Sequence, residues 1–323
     1  MERLSRRPMP VAEFGLIERF FRGIGPALDS TVAGIGDDCA VLQPPEGQQL
    51  LLTTDTLVEK THFLPGTDAE SLGHKVLAVS LSDLAAMGAT PRWAMLALSL
   101  PTVSESWLEA FSAGFSLLAS RYEVQLVGGD TTRGPLSITV QGIGTSPAGR
   151  VLYRSNAKPG DGIYVTGFLG EAGLGLKGCL GKAECSFTMR QRLERPEPRV
   201  AVGKILCGLA SACIDISDGF AADLGHILES SQVGATVDWN LLPLSAEVRG
   251  YLLRSGDVRL PLCAGDDYEL CFTVPRERES DLKSRLRSLP CPVTRVGIIG
   301  ELPGLRFENF NLDEPLSGYE HFS

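Results

Sequence analysis

The sequence predicts an α/β (α+β) protein with two domains. The chain has 323 residues, and compact domains usually contain roughly 100 to 200 residues. Segments with strand-like and helix-like apolar spacing alternate along nearly the whole chain. Two segments rich in turn-forming residues, 146–150 and 156–161, interrupt this alternation. We therefore predict one domain at 1–150 and a second at 151–323.

The first half begins with a predicted amphipathic helix. Its apolar residues recur at helical spacing from Glu13 and stop at Gly25. The runs 40–42 and 49–54 flank a Pro-Pro-Glu-Gly turn and predict a hairpin. Thr102 and Glu105 have the spacing of a capping box and predict the start of a further helix. The remaining elements predicted here are a helix at 69–87 and strands at 93–100, 124–127 and 136–145.

In the second half the alternation restarts. The predicted strands lie at 162–166, 212–216, 235–239, 260–263, 269–274 and 293–299, and the predicted helices at 199–209, 220–231, 245–255 and 276–289. The glycines at 173, 175 and 178 match a dinucleotide-binding pattern. The next strand with an acidic residue at its end does not lie where this fold requires it, so we interpret the segment as the start of a helix.

Charge and cysteine content predict the compartment. Lys and Arg total 30 against 39 for Asp and Glu, a net charge of −9, and this charge repels nucleic-acid backbones and anionic membranes. The longest apolar runs, such as 93–100, are far shorter than the roughly 18 residues of a membrane helix. The eight cysteines form no C-x-x-C pair. We expect a cytoplasmic protein with reduced thiols that binds neither nucleic acid nor a membrane.

The candidate chemistry lies in aspartates at the points where apolar runs end in Gly- or Thr-rich loops. In an α/β protein such loops bind ligands, and carboxylates gathered there repel one another unless cations neutralise them. Few Lys or Arg residues adjoin these loops, so carboxylate and hydroxyl oxygens predict Mg²⁺ bridging to phosphates. The motifs are Gly34-Ile-Gly-Asp37-Asp38, Thr53-Thr54-Asp55-Thr56, Gly128-Gly129-Asp130-Thr-Thr, Asp215-Ile-Ser217-Asp218-Gly and Gly265-Asp266-Asp267-Tyr268-Glu269.

Asp83 supports this interpretation. It lies within a predicted helix that is apolar on nearly every face, and a carboxylate there costs several kcal/mol unless it is paired or metal-bound. For any single aspartate, a turn or a helix cap remains the alternative. Asp83 itself could be a capped or salt-bridged acid.

Taken in order, these motifs closely resemble the thiamine-monophosphate kinase family. The resemblance covers about residues 13–322 and is most specific at His62-Phe63 and at Gly318-Tyr319-Glu-His-Phe. Looser forms of several motifs are similar to aminoimidazole ribonucleotide synthetase, selenophosphate synthetase and a hydrogenase-maturation protein. The resemblance implies a two-domain, aminoimidazole ribonucleotide synthetase-like (PurM-like) architecture. Its N-terminal domain would carry a mixed sheet, bind ATP and Mg²⁺ and form a homodimer, and its C-terminal α/β domain would complete the active site.

The resemblance also implies a reaction. ATP would phosphorylate thiamine monophosphate by direct, Mg²⁺-assisted in-line transfer, giving thiamine diphosphate and ADP in the last step of thiamine diphosphate biosynthesis. By the same resemblance, several Mg²⁺ ions would be held by Asp38, Thr53, Thr54, Asp55, Asp83, Asp130, Asp215 and Asp218. ATP would contact Gly129, Asp130, Arg154 and Ser217, and thiamine phosphate would contact His62, Glu269 and Tyr319, with Asp130 and Asp218 in catalytic roles.

The chain departs from the family pattern at three positions. Lys60 stands where glycine is common, Ala264 precedes Gly265 where a Gly-Gly pair is common, and Glu320 replaces aspartate. Two alternatives stay open from the residues. One is another ATP-dependent activity in the same architecture, such as a ligase or cyclase. The other is a non-catalytic protein that binds nucleotide or divalent ions, because binding and turnover use the same aspartates.

Overall fold

The computed structural model describes residues 13–310. Its helices are α1 (Glu13–Leu16, continued by a π-helical turn, Ile17–Phe21), α2 (Ala69–Ala86), α3 (Glu105–Arg121), α4 (Glu171–Cys179), α5 (Phe187–Glu194), α6 (Val200–Leu206), α7 (Phe220–Ser231), α8 (Ala246–Ser255), α9 (Leu260–Cys263) and α10 (Glu279–Leu286). Its strands are β1 (Thr31–Ala33), β2 (Val41–Leu42), β3 (Gln48–Val58), β4 (Thr90–Leu100), β5 (Gln125–Arg133), β6 (Ser137–Pro147), β7 (Gly162–Thr166), β8 (Ala212–Ile216), β9 (Gly234–Asp238), β10 (Glu269–Val274), β11 (Val293–Gly300) and β12 (Gly304–Glu308).

A four-stranded mixed sheet forms the first lobe, residues 31–147. The strand order is β3-β6-β4-β5, with β4 and β5 parallel and the other pairs antiparallel. Helices α2 and α3 pack against each other, and α2 covers the inner face of β3 and β6. Phe111 and Phe115 of α3 are fully buried in the core beneath them. The helices approach closely because Gly73 faces α3, where a Cβ atom would lie 2.0 Å from the Phe111 carbonyl oxygen.

A six-stranded sheet forms the second lobe, residues 162–308, in the order β12-β9-β11-β7-β10-β8. Strands β7, β8 and β10 are buried at every position, because the sheet is covered on both faces. Alternate side chains explain this: Tyr164 and Phe272 join the core shared with the first lobe, and Ile163 and Cys271 join a second core under α7.

Helix α2 joins the two lobes. It contacts β3 and β6 on one side and β8 and α6 on the other, and fifteen of its eighteen residues are buried. This explains why its sequence is apolar nearly all round. The structure therefore confirms the predicted fold class, a mixed α/β protein with two domains.

The chain passes between the sheets in residues 148–161, after β6 ends at Pro147 and before β7 begins at Gly162. The division of the chain at residue 150 stays a prediction. Within the described residues, no helix is long and apolar enough to cross a membrane.

Two predicted elements are wrong. The run 40–42 does not form a hairpin with 49–54: β2 pairs with β1, and β3 pairs along its whole length with β6. The run 260–263 is the short helix α9, not a strand. Four apolar residues are too few to separate a strand period from a helix period, and all but the last of them are buried. At α3, the N-cap is Ser104 and not Thr102, since its hydroxyl accepts from the Trp107 N–H at 3.4 Å.

Candidate active site

A cavity of about 590 Å³ lies between the two lobes. The first lobe contributes β3, the turn 60–64 and one face of α2. The second lobe contributes α4 and the loops that follow β8 and α9. Three of the five aspartate motifs reach this cavity, so the fold gathers segments that are up to about 200 residues apart in sequence.

Three carboxylates form an acidic cluster at one end of the cavity: Asp55 on β3, Asp83 on α2 and Asp215 on β8. Each accepts a hydrogen bond from a neighbouring hydroxyl. Ser80 Oγ donates to Asp55 Oδ2 at 2.9 Å, Ser82 Oγ donates to Asp215 Oδ2 at 2.7 Å, and Thr53 Oγ1 donates to Asp83 Oδ2. The cluster thus takes one residue from the edge strand β3, one from helix α2 and one from strand β8 of the second lobe.

Burial raises the pKa of all three acids, and the charge of Asp83 adds to this at Asp55 and Asp215. Burial and then the charge of Asp83 raise the pKa of Asp55 to about 6. Burial also raises the pKa of Asp83, opposed by the hydrogen bond from Thr53 and by the charge of Arg154. Burial and the charge of Asp83 raise the pKa of Asp215 well above its usual value. The cluster therefore binds protons or cations more strongly than separate surface carboxylates would.

Strand alternation explains which β3 residues face the cluster. Leu51, Thr53, Asp55 and Leu57 are the less exposed alternate positions and face α2, whereas Thr54 lies on the opposite face. Thr54 is exposed, and its hydroxyl lies 3.5 Å from Gln141 Nε2, although the residue still borders the cavity. The predicted ligands Thr53 and Asp55 come together here, and the Thr54 side chain points away from them.

The loop after β8 carries Ser217 and Asp218 to the cavity wall. Asp223, on the first turn of α7, accepts backbone hydrogen bonds from residues 217, 218 and 219. On the opposite wall, His62 lines the cavity, and its Nδ1 accepts from the Val58 N–H at 2.9 Å. The predicted residues Ser217, Asp218 and His62 therefore face one space.

A buried cation also lines the cavity, contrary to the expectation that basic residues are scarce beside the acidic loops. Lys75 is 3% exposed, and its Nζ lies 3.0 Å from Asp266 Oδ2 across the two lobes. Tyr268 Oη donates to Asp266 Oδ1 at 3.0 Å. The sequence signal was present, because Lys75, Val79 and Asp83 are spaced at i, i+4 and i+8 and so share one face of α2.

Three other predicted residues lie away from the acidic cluster. Asp38 is exposed in the loop between β1 and β2, and Gly129 and Asp130 lie on β5, where Asp130 is exposed. Strands β3 and β5 are opposite edges of the same sheet, so Asp130 lies three strand spacings, roughly 14 Å, from the level of Thr56. A single copy of the chain does not bring Asp130 to Asp55.

Glu269 occupies a different environment from the cavity wall. Arg199 Nε donates to its Oε2 at 2.6 Å, a second guanidinium nitrogen of Arg199 pairs with its Oε1, and Thr166 donates to Oε2 at 2.5 Å. The side chain is buried with these partners. Arg154 is exposed near Asp83. Tyr319 lies outside the described residues.

The donor chemistry at the acidic cluster fits a hard divalent cation. Carboxylate and hydroxyl oxygens from Thr53, Asp55, Asp83 and Asp215 are the ligands that Mg²⁺ prefers. The raised pKa values of Asp55 and Asp215 show that their hydrogen bonds only partly offset burial and the charge of Asp83. Within residues 13–310, however, no three His, Cys, Asp or Glu side chains are already arranged as a metal site.

Two family models match the chain in succession. The model described as AIR synthase related protein, N-terminal domain, matches residues 36–146, and the corresponding C-terminal domain matches 158–308. Thiamine-monophosphate kinase of Salmonella typhimurium is 46% identical over 98% of this chain and 99% of its own length. The chain belongs to the thiamine-monophosphate kinase family. The Bacillus subtilis member is 35% identical over 91% of this chain and 94% of its own length.

Solved structures of the thiamine-monophosphate kinase family share this fold. The enzyme from Stenotrophomonas maltophilia K279a matches with a TM-score of 0.82 and 46% identity, covering 87% of this chain and 92% of its own. A structure described as AaThiL complexed with AMPPCP and TMP matches with a TM-score of 0.77 and 32% identity, covering 86% of this chain and 89% of its own. A hydrogenase-maturation protein in complex with ATP, at 22% identity and a TM-score of 0.74, shares the fold alone.

Proposed function

We propose that this chain transfers the γ-phosphoryl group of ATP to thiamine monophosphate, giving thiamine diphosphate and ADP, the last step of thiamine diphosphate biosynthesis. The observation that carries the proposal is the cavity between the lobes, whose acidic cluster joins Asp55, Asp83 and Asp215. Full-length similarity to the thiamine-monophosphate kinases supports the same activity, as does the relative complexed with AMPPCP and TMP.

The reaction needs no protein base. A phosphate monoester is largely dianionic near neutral pH, because its second pKa is about 6, so the acceptor oxygen is already a nucleophile. What the reaction requires is that two anionic phosphates meet in line. When bound, Mg²⁺ would supply positive charge that offsets the repulsion between the two phosphates. The acidic cluster would hold the metal, and Asp218 at the cavity wall would complete this end of the site.

The residue roles are proposals that follow from the family. Several Mg²⁺ ions would be held by Asp38, Thr53, Thr54, Asp55, Asp83, Asp130, Asp215 and Asp218; ATP would contact Gly129, Asp130, Arg154 and Ser217; and thiamine phosphate would contact His62, Glu269 and Tyr319. His62 faces the cavity, which supports its role. For Glu269 the ion pair with Arg199 favours a role in holding β10 to the adjoining segments.

We propose a homodimer, with residues 1–150 forming the ATP- and Mg²⁺-binding and dimerisation domain and 151–323 completing the site. Strands β3 and β5 are sheet edges within the described chain, and Leu50 and Leu52 expose 44% and 61% of their surface on the β3 face away from α2. A second copy could supply Asp130 to the acidic cluster. We also propose a cytoplasmic location, since all eight cysteines are free thiols.

The decisive experiment is incubation of the purified protein with thiamine monophosphate, ATP and Mg²⁺, followed by chromatography, with an EDTA control. We expect thiamine diphosphate and ADP in equal amounts, and no product with EDTA. Asp218→Asn should lower kcat by about a hundredfold or more. Asp238→Asn, in β9 away from the cavity, is the matched control and should be near normal. Hydrolysis of ATP without thiamine diphosphate would contradict the proposal.

A further inference from the structure

The loop between β8 and α7 is held from beneath by a single carboxylate oxygen. Asp223 Oδ2 accepts the backbone N–H groups of Ser217, Asp218 and Gly219 at 3.0, 3.0 and 3.1 Å. Asp223 itself is 2% exposed. Three consecutive backbone donors therefore converge on one buried acceptor.

The local sequence explains why the loop needs an acceptor from elsewhere. The residue before α7 is Gly219, at a φ of 118°, and it has no side chain to cap the helix. A Cβ atom at Gly219 would lie 2.8 Å from the Cys263 carbonyl carbon, so the loop is pressed against the end of α9. Asp223 supplies the missing acceptor from inside the helix, where the N-terminal dipole also favours a negative charge.

Without Asp223, these donors would have another use. Successive backbone N–H groups at a helix N-terminus form a concave site that binds phosphate or other anions. Here a carboxylate of the protein already occupies that site. Ser217 and Asp218 line the cavity, while their amides are bonded to Asp223 and are not free for a ligand.

The two carboxylates at this loop also interact with each other. Asp223 lies close enough to Asp218 for the two carboxylates to repel each other. Burial and then the charge of Asp218 raise the pKa of Asp223 to about 7, opposed by its backbone hydrogen bonds. Because Asp223 already accepts from the three amides, residues 217–219 offer a metal-free anion no free backbone donor.

We infer that Asp223 is a positioning residue, which fixes residues 217–219 with Ser217 and Asp218 facing the cavity and makes the loop accept metal-bound rather than metal-free phosphate. The inference deepens the proposed function and rests on it for the identity of the nucleotide. The bonds that hold the loop belong to the chain itself, so they can be tested without turnover.

The first test is amide hydrogen exchange on the full chain, read at residues 217–219. In Asp223→Ala the three amides lose their acceptor, and we expect their exchange to accelerate by about tenfold or more. Asp223→Asn keeps a carbonyl oxygen without the charge and should give a smaller acceleration. If the alanine variant does not fold, exchange is measured on the asparagine variant instead. Unchanged protection at these amides in the variant that folds would overturn the inference.

The matched control is Asp161→Asn. Asp161 is also a buried carboxylate that holds a turn, accepting from the Lys158 N–H at 3.0 Å and from Ser211 Oγ at 2.5 Å. It does not line the cavity. Exchange at 217–219 should be unchanged in this variant, and an equal acceleration would reduce Asp223 to a general contributor to stability.

The second test is calorimetric binding of AMPPCP with and without Mg²⁺. In the wild-type protein Mg²⁺ should strengthen binding, and in Asp223→Asn this advantage should fall by about fivefold or more while metal-free AMPPCP binds no more weakly. An unchanged Mg²⁺ advantage would overturn the inference. If the wild-type protein makes no thiamine diphosphate, the proposed function fails, whereas the exchange result still decides whether Asp223 holds the loop.

Discussion

At the scale of single residues, burial raises the electrostatic free energy of the ionised acidic cluster, and a bound cation would lower it. Asp55, Asp83 and Asp215 are held together by the fold with hydroxyl partners that only partly compensate their charge. The raised pKa values express the same cost as a preference for protons. Several carboxylates with raised pKa values in one cavity are typical of functional sites.

This cost predicts the pH dependence of the metal-free protein. The pKa of Asp55 is raised from 3.8 to about 6 in the native state, so the native state binds this proton more tightly than the unfolded chain does. Its contribution to stability is full below about pH 4 and is lost as the pH rises through about 6. Denaturant unfolding in EDTA should show this decline, and Asp55→Asn should reduce it. Added Mg²⁺ should stabilise the wild-type protein at about pH 7.5 more than at about pH 5.

Asp68 is the matched control, because its shift has the opposite sign. The backbone N–H of Ser71 lowers the pKa of Asp68, the N-cap of α2. Its contribution is therefore present above about pH 4 and lost on acidification. Asp68→Asn should remove stability at neutral pH and leave the decline between about pH 4 and 6 in place. A decline of equal size in wild-type protein and Asp55→Asn would contradict the account of the cluster.

At the scale of elements, α2 carries the site. One face presents Lys75, Val79 and Asp83 to the cavity, and Gly73 lets α3 approach on another side. The helical period places Lys75, Val79 and Asp83 on the same face, because residues four apart share a face. Gly73 does not follow this spacing and so lies on another side. The positions of the cation and the carboxylates depend on how closely this helix is packed.

We predict that Gly73→Ala destabilises the protein by about 2 kcal/mol or more, because the new methyl group would lie 2.0 Å from the Phe111 carbonyl oxygen. Gly225→Ala in α7 is the matched control, because no atom lies within 4 Å of the position that its new methyl group would take. That variant should be stabilised by up to about 1 kcal/mol through helix propensity. Chemical denaturation measures both changes, and a neutral Gly73→Ala would contradict the close packing of α2 and α3.

At the scale of the whole molecule, the cavity brings together only some of the proposed site residues. The second lobe brings Asp215, Ser217 and Asp218 to face Asp55 and Asp83 of the first. Asp130 remains at the far edge of the first sheet. The proposed dimer accounts for this separation, since a twofold axis can place one β5 edge beside the β3 edge of another copy.

We therefore expect complementation between two inactive variants. Asp55→Asn and Asp130→Asn should each be strongly impaired alone. After mixing under conditions that exchange subunits, heterodimers with one intact site should restore up to about a quarter of wild-type activity. Light scattering should give a mass of twice 34.6 kDa. A monomer, or dimers that show no complementation, would contradict a shared site.

The fold class, the family and most of the secondary structure could be predicted from the order of the residues. Alternating apolar patterns located β7, β8, α7 and β10 at the bounds that the structure has, because long periodic segments carry a strong local signal. The aspartate motifs and the nearly apolar α2 also pointed to Asp55, Asp83, Asp215 and Asp218 before any contact was known. The hairpin at 40–54 and the strand at 260–263 were wrong, because strand pairing and very short apolar runs are decided by distant partners.

Which of these residues meet became clear only from the folded chain. Lys75 and Asp266 are 191 positions apart and form an ion pair across the lobes. Glu269, the last residue of a predicted motif, is bound instead by Arg199. Asp223 resembles an ordinary acid in the first turn of a helix until its three backbone partners are seen. The physical reason is that chemistry depends on distances of a few ångströms between side chains, and local sequence pattern constrains only neighbours along the chain.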